Sequence, residues 1–362
     1  MVLSPLVGIG AGIASGILAL TIVTGQSLGA ITLLLFPMPI AIAGLGWSRL
    51  TALLAVVVSA IILGLAAPPL LALAYALAVG VPFVVFCYLA TLNRDIQLSD
   101  GQRSAEWYPI GRVVGAVALW AGGLSALILA SVEAFEQGAL RKAARQLVDR
   151  LFDEVFKLPP DLAVQMTDAR RNEVAGMVEQ YFPFALASTW MLVGVVALYF
   201  AAVAVFRSDR LGRAWPDLSA LLIPRELNLV FIAAAVGSFI EGPIGITAKC
   251  FIWSIATAYV LQGLAILHQT LRGSAFRGLA LFGAYLALFF VPLYSNMVLA
   301  LIGIAEPVSP IRRSSIETIT EANPLPPNTP GGPGGPGGSG GGGPVGPGGR
   351  GPPPSGPSSG NT

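Results

Sequence analysis

The chain has 362 residues, of which 54% are hydrophobic and only 11% charged, and its formal net charge is +2. A water-soluble domain carries about 25% charged residues, so most of this chain is solvated by lipid. The small net charge, with no basic cluster interleaved with aromatics, speaks against a nucleic-acid partner.

The first apolar span is expected over residues 5–24 and contains the run LVGIGAGIASGILAL. On a helical wheel Gly8, Ala11, Gly12, Ser15, Gly16 and Ala19 share one face, and Leu6, Ile9, Ile13, Ile17 and Leu20 lie opposite. Glycine costs about 1 kcal/mol relative to alanine inside a helix. In lipid that cost is offset when small residues let two helix backbones approach closely. Gly8, Gly12, Ser15 and Gly16 are therefore expected to form a packing face, either within the bundle or docked against another membrane protein. They are no phosphate loop, because no GxxxxGK[ST] follows and no strand precedes them. The N-terminus carries no charged stretch before this run and reads as a retained first span.

The segment GQSLG (25–29) matches GxSxG, but it joins two apolar spans and lacks the strand–elbow–helix context that exposes a nucleophile. Further spans of roughly 20 apolar residues are expected over 28–46, 50–67, 70–92, 111–132, 183–206, 229–242, 246–270 and 277–303. The stretch 229–242 is short, so the total is eight or nine. Trp47, Trp107 and Trp215 fall at the expected ends, where aromatic rings favour the headgroup region. Cys87 and Cys250 both lie in apolar runs and read as small core residues.

Three segments lie outside this pattern. Residues 93–110 form a short polar loop. In the charged insertion 133–182, Leu140, Ala144, Leu147, Leu151, Val155 and Leu158 recur at helical spacing among Arg141, Lys142, Arg145, Asp149, Arg150 and Asp153. This amphipathic helix should end at Pro159-Pro160, and Asp161 should cap a second helix running toward Tyr181. The pair is expected on the lipid interface or against the ends of the bundle, with a lid over a cavity as the sharper alternative. From residue 305 onward a Gly/Pro-rich tail lacks the apolar content to fold. The expected architecture is an all-α, polytopic transmembrane helix bundle. It has an N-terminal bundle (1–132), the insertion (133–182), a C-terminal bundle (183–304) and a disordered tail (305–362).

Arg49, Arg94, Arg103, Arg112, Arg207, Arg210, Arg213, Arg225, Arg272 and Arg277 collect on one side of a nine-span arrangement. The positive-inside rule places that side, and the N-terminus, in the cytoplasm. Arg312 and Arg313 disagree with nine spans and agree with eight. The excess of arginine over lysine, with abundant alanine, glycine and proline, is usual in GC-rich bacterial coding sequences, so the expected location is a bacterial inner membrane. Glu241 and Lys249 flank GPIGITA, and a turn there is expected to pair them at one membrane edge; His268, the single histidine, lies near the end of a span. Ionisable groups at membrane depth are candidate functional sites. No carboxylate pair, histidine cluster or Ser/His arrangement is present, so no catalytic, cofactor-binding or metal-binding residues are expected and the chain reads as a non-enzyme.

The stretches FPMPIAIAGLGW (36–47), AEWYPIGR (105–112) and LQGLAILHQTLRG (261–273) resemble recurring blocks of the YybS-like family of bacterial multi-pass membrane proteins, over about residues 1–315. That family is distantly similar to the substrate-binding S components of energy-coupling-factor transporters. In those, small residues on the first helix dock a coupling subunit. The resemblance implies a transport-related module that binds a small molecule, and a docking role for Gly8, Gly12, Ser15 and Gly16. The rival expectation is a structural or assembly partner for other membrane proteins.

Overall fold

The structure is a computed structural model and describes residues 3–24, 29–97, 103–155 and 167–306. Residues 25–28, Leu158, the Pro159-Pro160 stop, the Asp161 cap, Arg312, Arg313 and the glycine-rich tail lie outside the described residues. Thirteen α-helices and one hairpin follow in order among them: α1 (Leu3–Val23), α2 (Gly29–Leu35), α3 (Met38–Gly46), α4 (Arg49–Ala66), α5 (Pro69–Tyr75), α6 (Val81–Thr91), β1 (Asn93–Gln97), β2 (Arg103–Trp107), α7 (Ile110–Phe135), α8 (Ala139–Arg150), α9 (Asp168–Arg207), α10 (Glu226–Gly237), α11 (Pro243–Thr270), α12 (Arg277–Phe290) and α13 (Pro292–Ala305).

The small-residue face of α1 lies on α4. A Cβ added to Gly8 would sit 2.9 Å from the Thr51 carbonyl oxygen, and one on Gly12 would sit 2.6 Å from Val58 Cβ. At Gly16 it would meet Ile62 Cβ at 3.0 Å. Because Gly8 meets the start of α4 and Gly16 a point two turns further on, the two helices run parallel. The opposite face, Leu6, Ile9, Ile13 and Ile17, is exposed, as suits a lipid-facing surface. Ser15 is buried and donates to the Phe36 carbonyl at 2.6 Å, with the Tyr75 hydroxyl 2.8 Å away.

Parallel α1 and α4 require the chain to return between them, and α2 and α3 carry it back in two pieces. Proline explains the break: Pro37 and Pro39 offer no N–H to a continuing helix. The same chemistry splits the expected 277–303 span. Val291, held before Pro292, leaves the helical region (φ −130°, ψ 55°) and separates α12 from α13. Among the described residues six helices are long and apolar enough to cross a membrane, with four shorter apolar stretches beside them, and the expected count of eight or nine full spans is not confirmed.

Two segments tolerate proline without breaking. The span 69–91 is α5 and α6 joined by a π-helical turn, Ala76–Gly80. Pro82 has no N–H for the carbonyl four residues earlier, that of Ala78, and Trp120 Nε1 on α7 donates to that carbonyl at 2.6 Å. Pro183 sits inside the 40-residue α9 without interrupting it. The expected boundary at 182/183 therefore falls within one helix, and the second insertion helix and the following span are continuous.

In the insertion, Leu140, Ala144 and Val148 are buried, while Leu147 is 42% exposed. The α8 stripe packs on Ala175, Val174 and Val178 of α9, at the end of the bundle. Arg171 on α9 reaches Asp149 (3.0 Å) and Asp153 (2.8 Å), and Arg145 on α8 reaches Asp168 (2.8 Å). The expected polar loop at 93–110 is a two-stranded antiparallel hairpin in which Arg94 lies opposite Glu106, their side chains 2.6 Å apart. Cys87 and Cys250 are free and buried.

Candidate functional site

The arginine-bearing end of the bundle gathers the ends of α3, α6, α9 and α11, the hairpin, and the connection between α9 and α10. Aromatic rings hold its guanidiniums: Arg49 lies over Tyr88 (5.8 Å), Arg112 over Tyr108 (6.0 Å), Arg210 over Trp47 (4.8 Å) and Arg213 over Trp107 (5.6 Å). The charged insertion lies at the opposite end, where α7 delivers the chain and α9 begins.

A cavity of about 530 Å³ opens at the arginine end and runs between α7, α9 and α11. Its inner walls are aliphatic: Val113 and Val117 from α7, Val195 and Leu198 from α9, Leu261 and Leu264 from α11. On each of these helices the lining spans seven residues, which at 1.5 Å per residue is about 10 Å of depth. The polar groups lie at the mouth, namely Arg213, Ser219, His268 and Tyr285. Trp215 closes one side, packed on Phe206 (5.1 Å) and Tyr199 (6.2 Å).

Arg213 ties this end together. Its Nη1 donates to the Ala90 carbonyl at 2.9 Å and to that of Tyr108 at 3.4 Å. Its Nε is enclosed and has no hydrogen-bond acceptor. Burial pulls the guanidinium below its ordinary pKa. Among the described residues, no carboxylate lies within ion-pair distance of Arg213. The nearby Asp217 is engaged by the Ser219 hydroxyl and amide and by Arg272 (2.9 Å), which in that order hold its carboxyl below the usual range.

His268 supplies the second polar feature. Its Nδ1 faces the Leu264 carbonyl at 3.0 Å, and since a carbonyl can only accept, that nitrogen carries the proton. Nε2 is left toward the Tyr285 hydroxyl at 3.4 Å. Nearly two turns deeper, Gln262 is fully buried, accepting from the Ile223 amide at 2.6 Å and donating to the Gly303 carbonyl at 2.8 Å. It fastens the α9–α10 connection and α13 to α11.

Of the residues singled out in the sequence, His268 lies in this cavity and the others lie elsewhere. Gly8, Gly12 and Gly16 face α4, and Ser15 is bonded to the Phe36 carbonyl and the Tyr75 hydroxyl. Glu241 is exposed in the turn before α11, and Lys249 is half-buried within α11. The expected turn forms, with Gly242 at φ 79°, but no ion pair joins the two charges. Lys249 lies six residues into the helix, about 9 Å along its axis, which is too far for Glu241 to follow. Arg213 and Tyr285 were legible only as an interfacial arginine and a span tyrosine, because nothing local says that a connection folds back over the mouth. No group of three or more metal-ligating side chains occurs among the described residues. A second, more open groove of about 980 Å³ between the hairpin and residues 220–226 carries three arginines and three glutamates, with no excess of either sign.

The fold and this site define a multi-pass membrane protein with a helical bundle. Residues 13–306 match the family described as "Predicted membrane protein (DUF2232)", and the chain belongs to that family, which the YybS-like resemblance fits. No curated protein and no solved structure matches the chain.

Proposed function

We propose that the chain is a transport-related module of a bacterial inner membrane that holds a small molecule in the cavity between α7, α9 and α11, without covalent chemistry. The observation that carries this reading is the convergence of Arg213, Ser219, His268 and Tyr285 on one end of an otherwise apolar cavity of about 530 Å³. Ligand sites are typically concave, about 300–1,000 Å³, mostly apolar, and oriented by a few polar groups. The resemblance to transporter S components supports the same reading. With the arginine-bearing end on the cytoplasmic side, the mouth opens toward the cytoplasm.

An assembly role would need a surface that lipid alone does not account for. The exposed apolar faces of α10 and α12 are what lipid-facing helices present in any case. Native mass spectrometry of the full chain released from nanodiscs tests the binding reading. Wild type should carry a small-molecule adduct, and Ala202→Phe, which fills the cavity from α9, should lose it while remaining folded. A wild-type spectrum free of adduct, unchanged by the substitution, would contradict it.

A further inference from the structure

The cavity is asymmetric in a way that selects a chemical class. Three helices line about 10 Å of depth, and apart from Tyr199 on α9 and His268 at the mouth end of α11 their lining side chains are aliphatic. An aliphatic wall takes methylene and methyl groups, and it penalises any polar group that cannot find a partner. The mouth carries a permanent cation. Arg213 has two of its donors fixed on backbone carbonyls by Nη1, while its enclosed Nε has none. Arg213 lines the mouth with no carboxylate within ion-pair distance among the described residues, and such a guanidinium is matched best by an anion, whose charge-assisted hydrogen bonds are short and strong.

The charges around that donor point the same way. Asp217, in the connection that forms the mouth, is engaged by Arg272 and Ser219 and so does not neutralise Arg213. Across the mouth the Tyr285 hydroxyl can donate to an anionic head group, whereas His268 Nε2, unprotonated when Nδ1 carries the proton, can only accept. The apolar depth and the cationic mouth lie along one axis, that of the helices. A compact polar metabolite would leave the aliphatic walls uncovered, and a hydrocarbon would leave the Arg213 charge without a counter-ion.

From this arrangement we infer that the ligand is an anionic amphiphile, a carboxylate or phosphate head on a short or medium apolar chain, bound with its head at Arg213 and its chain between α7, α9 and α11. This inference rests on the proposed binding role of the cavity and names its ligand class. The chemistry is shared by a free fatty acid and by an anionic bilayer lipid inserting one acyl chain.

Photo-crosslinking separates these possibilities. The full chain is placed in phosphatidylcholine nanodiscs with three diazirine-bearing probes of equal chain length: decanoate, decanol and decyltrimethylammonium. Labelled peptides are then mapped. Decanoate should label the cavity-lining stretches of α9 and α11 at least tenfold more than the ammonium probe. Arg213→Gln should lower decanoate labelling to that of decanol without changing decanol labelling, and Arg213→Lys should retain most of the preference. The decanol signal reports on folding, and the head-group series on wild type stands even if the glutamine variant misfolds.

Equal labelling of the cavity by all three probes would overturn the anionic class while leaving the binding role intact. Absence of cavity labelling by any probe would overturn both. Repeating the decanoate experiment with phosphatidylglycerol in the nanodisc separates the two sources. Displacement of the label identifies a bilayer lipid as the occupant, and persistence identifies a free amphiphile; both outcomes keep the anionic assignment.

Discussion

Gly10 and Gly12 are two residues apart in α1 and meet opposite surroundings. A Cβ on Gly10 would have nothing within 4 Å, whereas one on Gly12 would lie 2.6 Å from Val58 Cβ and 2.7 Å from the Ala55 carbonyl oxygen. Gly12→Ala should therefore force α1 and α4 apart and cost about 1–3 kcal/mol, the usual penalty for overpacking. Gly10→Ala should be neutral or stabilising by about 0.5–1 kcal/mol. Thermal unfolding of the two variants in one detergent checks this, and equal behaviour would refute the close contact. On the wheel of the first span Gly12 lies with Gly8 and Gly16 while Gly10 does not. It says nothing of which helix covers the face; that information lies in α4, three elements away.

At the scale of elements, proline is where sequence and structure part company. A hydropathy reading treats 28–46 and 277–303 as spans because it counts apolar residues, and a proline is only one residue in the count. The backbone counts N–H groups instead, so Pro37 and Pro292 divide those segments. Pro82 divides nothing, because Trp120 donates to the Ala78 carbonyl that it leaves without its helical donor. Trp120→Phe should cost about 1–3 kcal/mol, the penalty for a polar group buried without its partner. Pro82→Ala restores an N–H, so the same substitution should cost clearly less in that background. A double-mutant cycle read by thermal unfolding checks the coupling, and strictly additive effects would contradict it.

The α8–α9 contact gives a prediction in pH. Asp149 and Asp153 are held below the ordinary value of 3.8 chiefly by hydrogen bonds from Arg171. Each therefore binds its proton more weakly folded than unfolded, and its stabilisation is complete above about pH 4–5 and lost as pH falls through the depressed folded value. Proteolytic cleavage within the insertion should rise on acidification below about pH 4 in wild type, and already be raised at neutral pH in Arg171→Ala. A cleavage rate flat across that range in wild type would show that the ion pairs do not hold the insertion. The sequence revealed the α8 stripe by its spacing. It did not reveal that Arg171 would bridge two acids, because the bridge depends on α9 running unbroken through Pro183 beside α8.

At the scale of the whole molecule, the arginine count along the chain becomes one end of the bundle. Arg49, Arg112, Arg210 and Arg213 all sit there against aromatic rings, and the insertion lies at the other end. In a background lacking Cys87 and Cys250, Ser208→Cys should be labelled by an impermeant maleimide only after cells are opened, and Arg141→Cys in intact spheroplasts. The reverse pattern would invert the proposed orientation. The cavity was the least legible feature. Its walls come from three helices whose lining residues run from Ile110 to His268, and its charge comes from a connection that hydropathy reads merely as the gap between spans. Of the candidate site residues named in the sequence, His268, the single histidine near a span end, is the one that lies in it.

The central claim is that α7, α9 and α11 enclose a space shaped for a ligand whose head meets Arg213. An experimental density map of the full chain in nanodiscs tests it most directly. The account predicts continuous non-protein density between Val117, Leu198 and Leu261 that ends within hydrogen-bonding distance of the Arg213 guanidinium. A bundle whose α7, α9 and α11 side chains meet in direct contact there, with Arg213 turned to solvent, would contradict it.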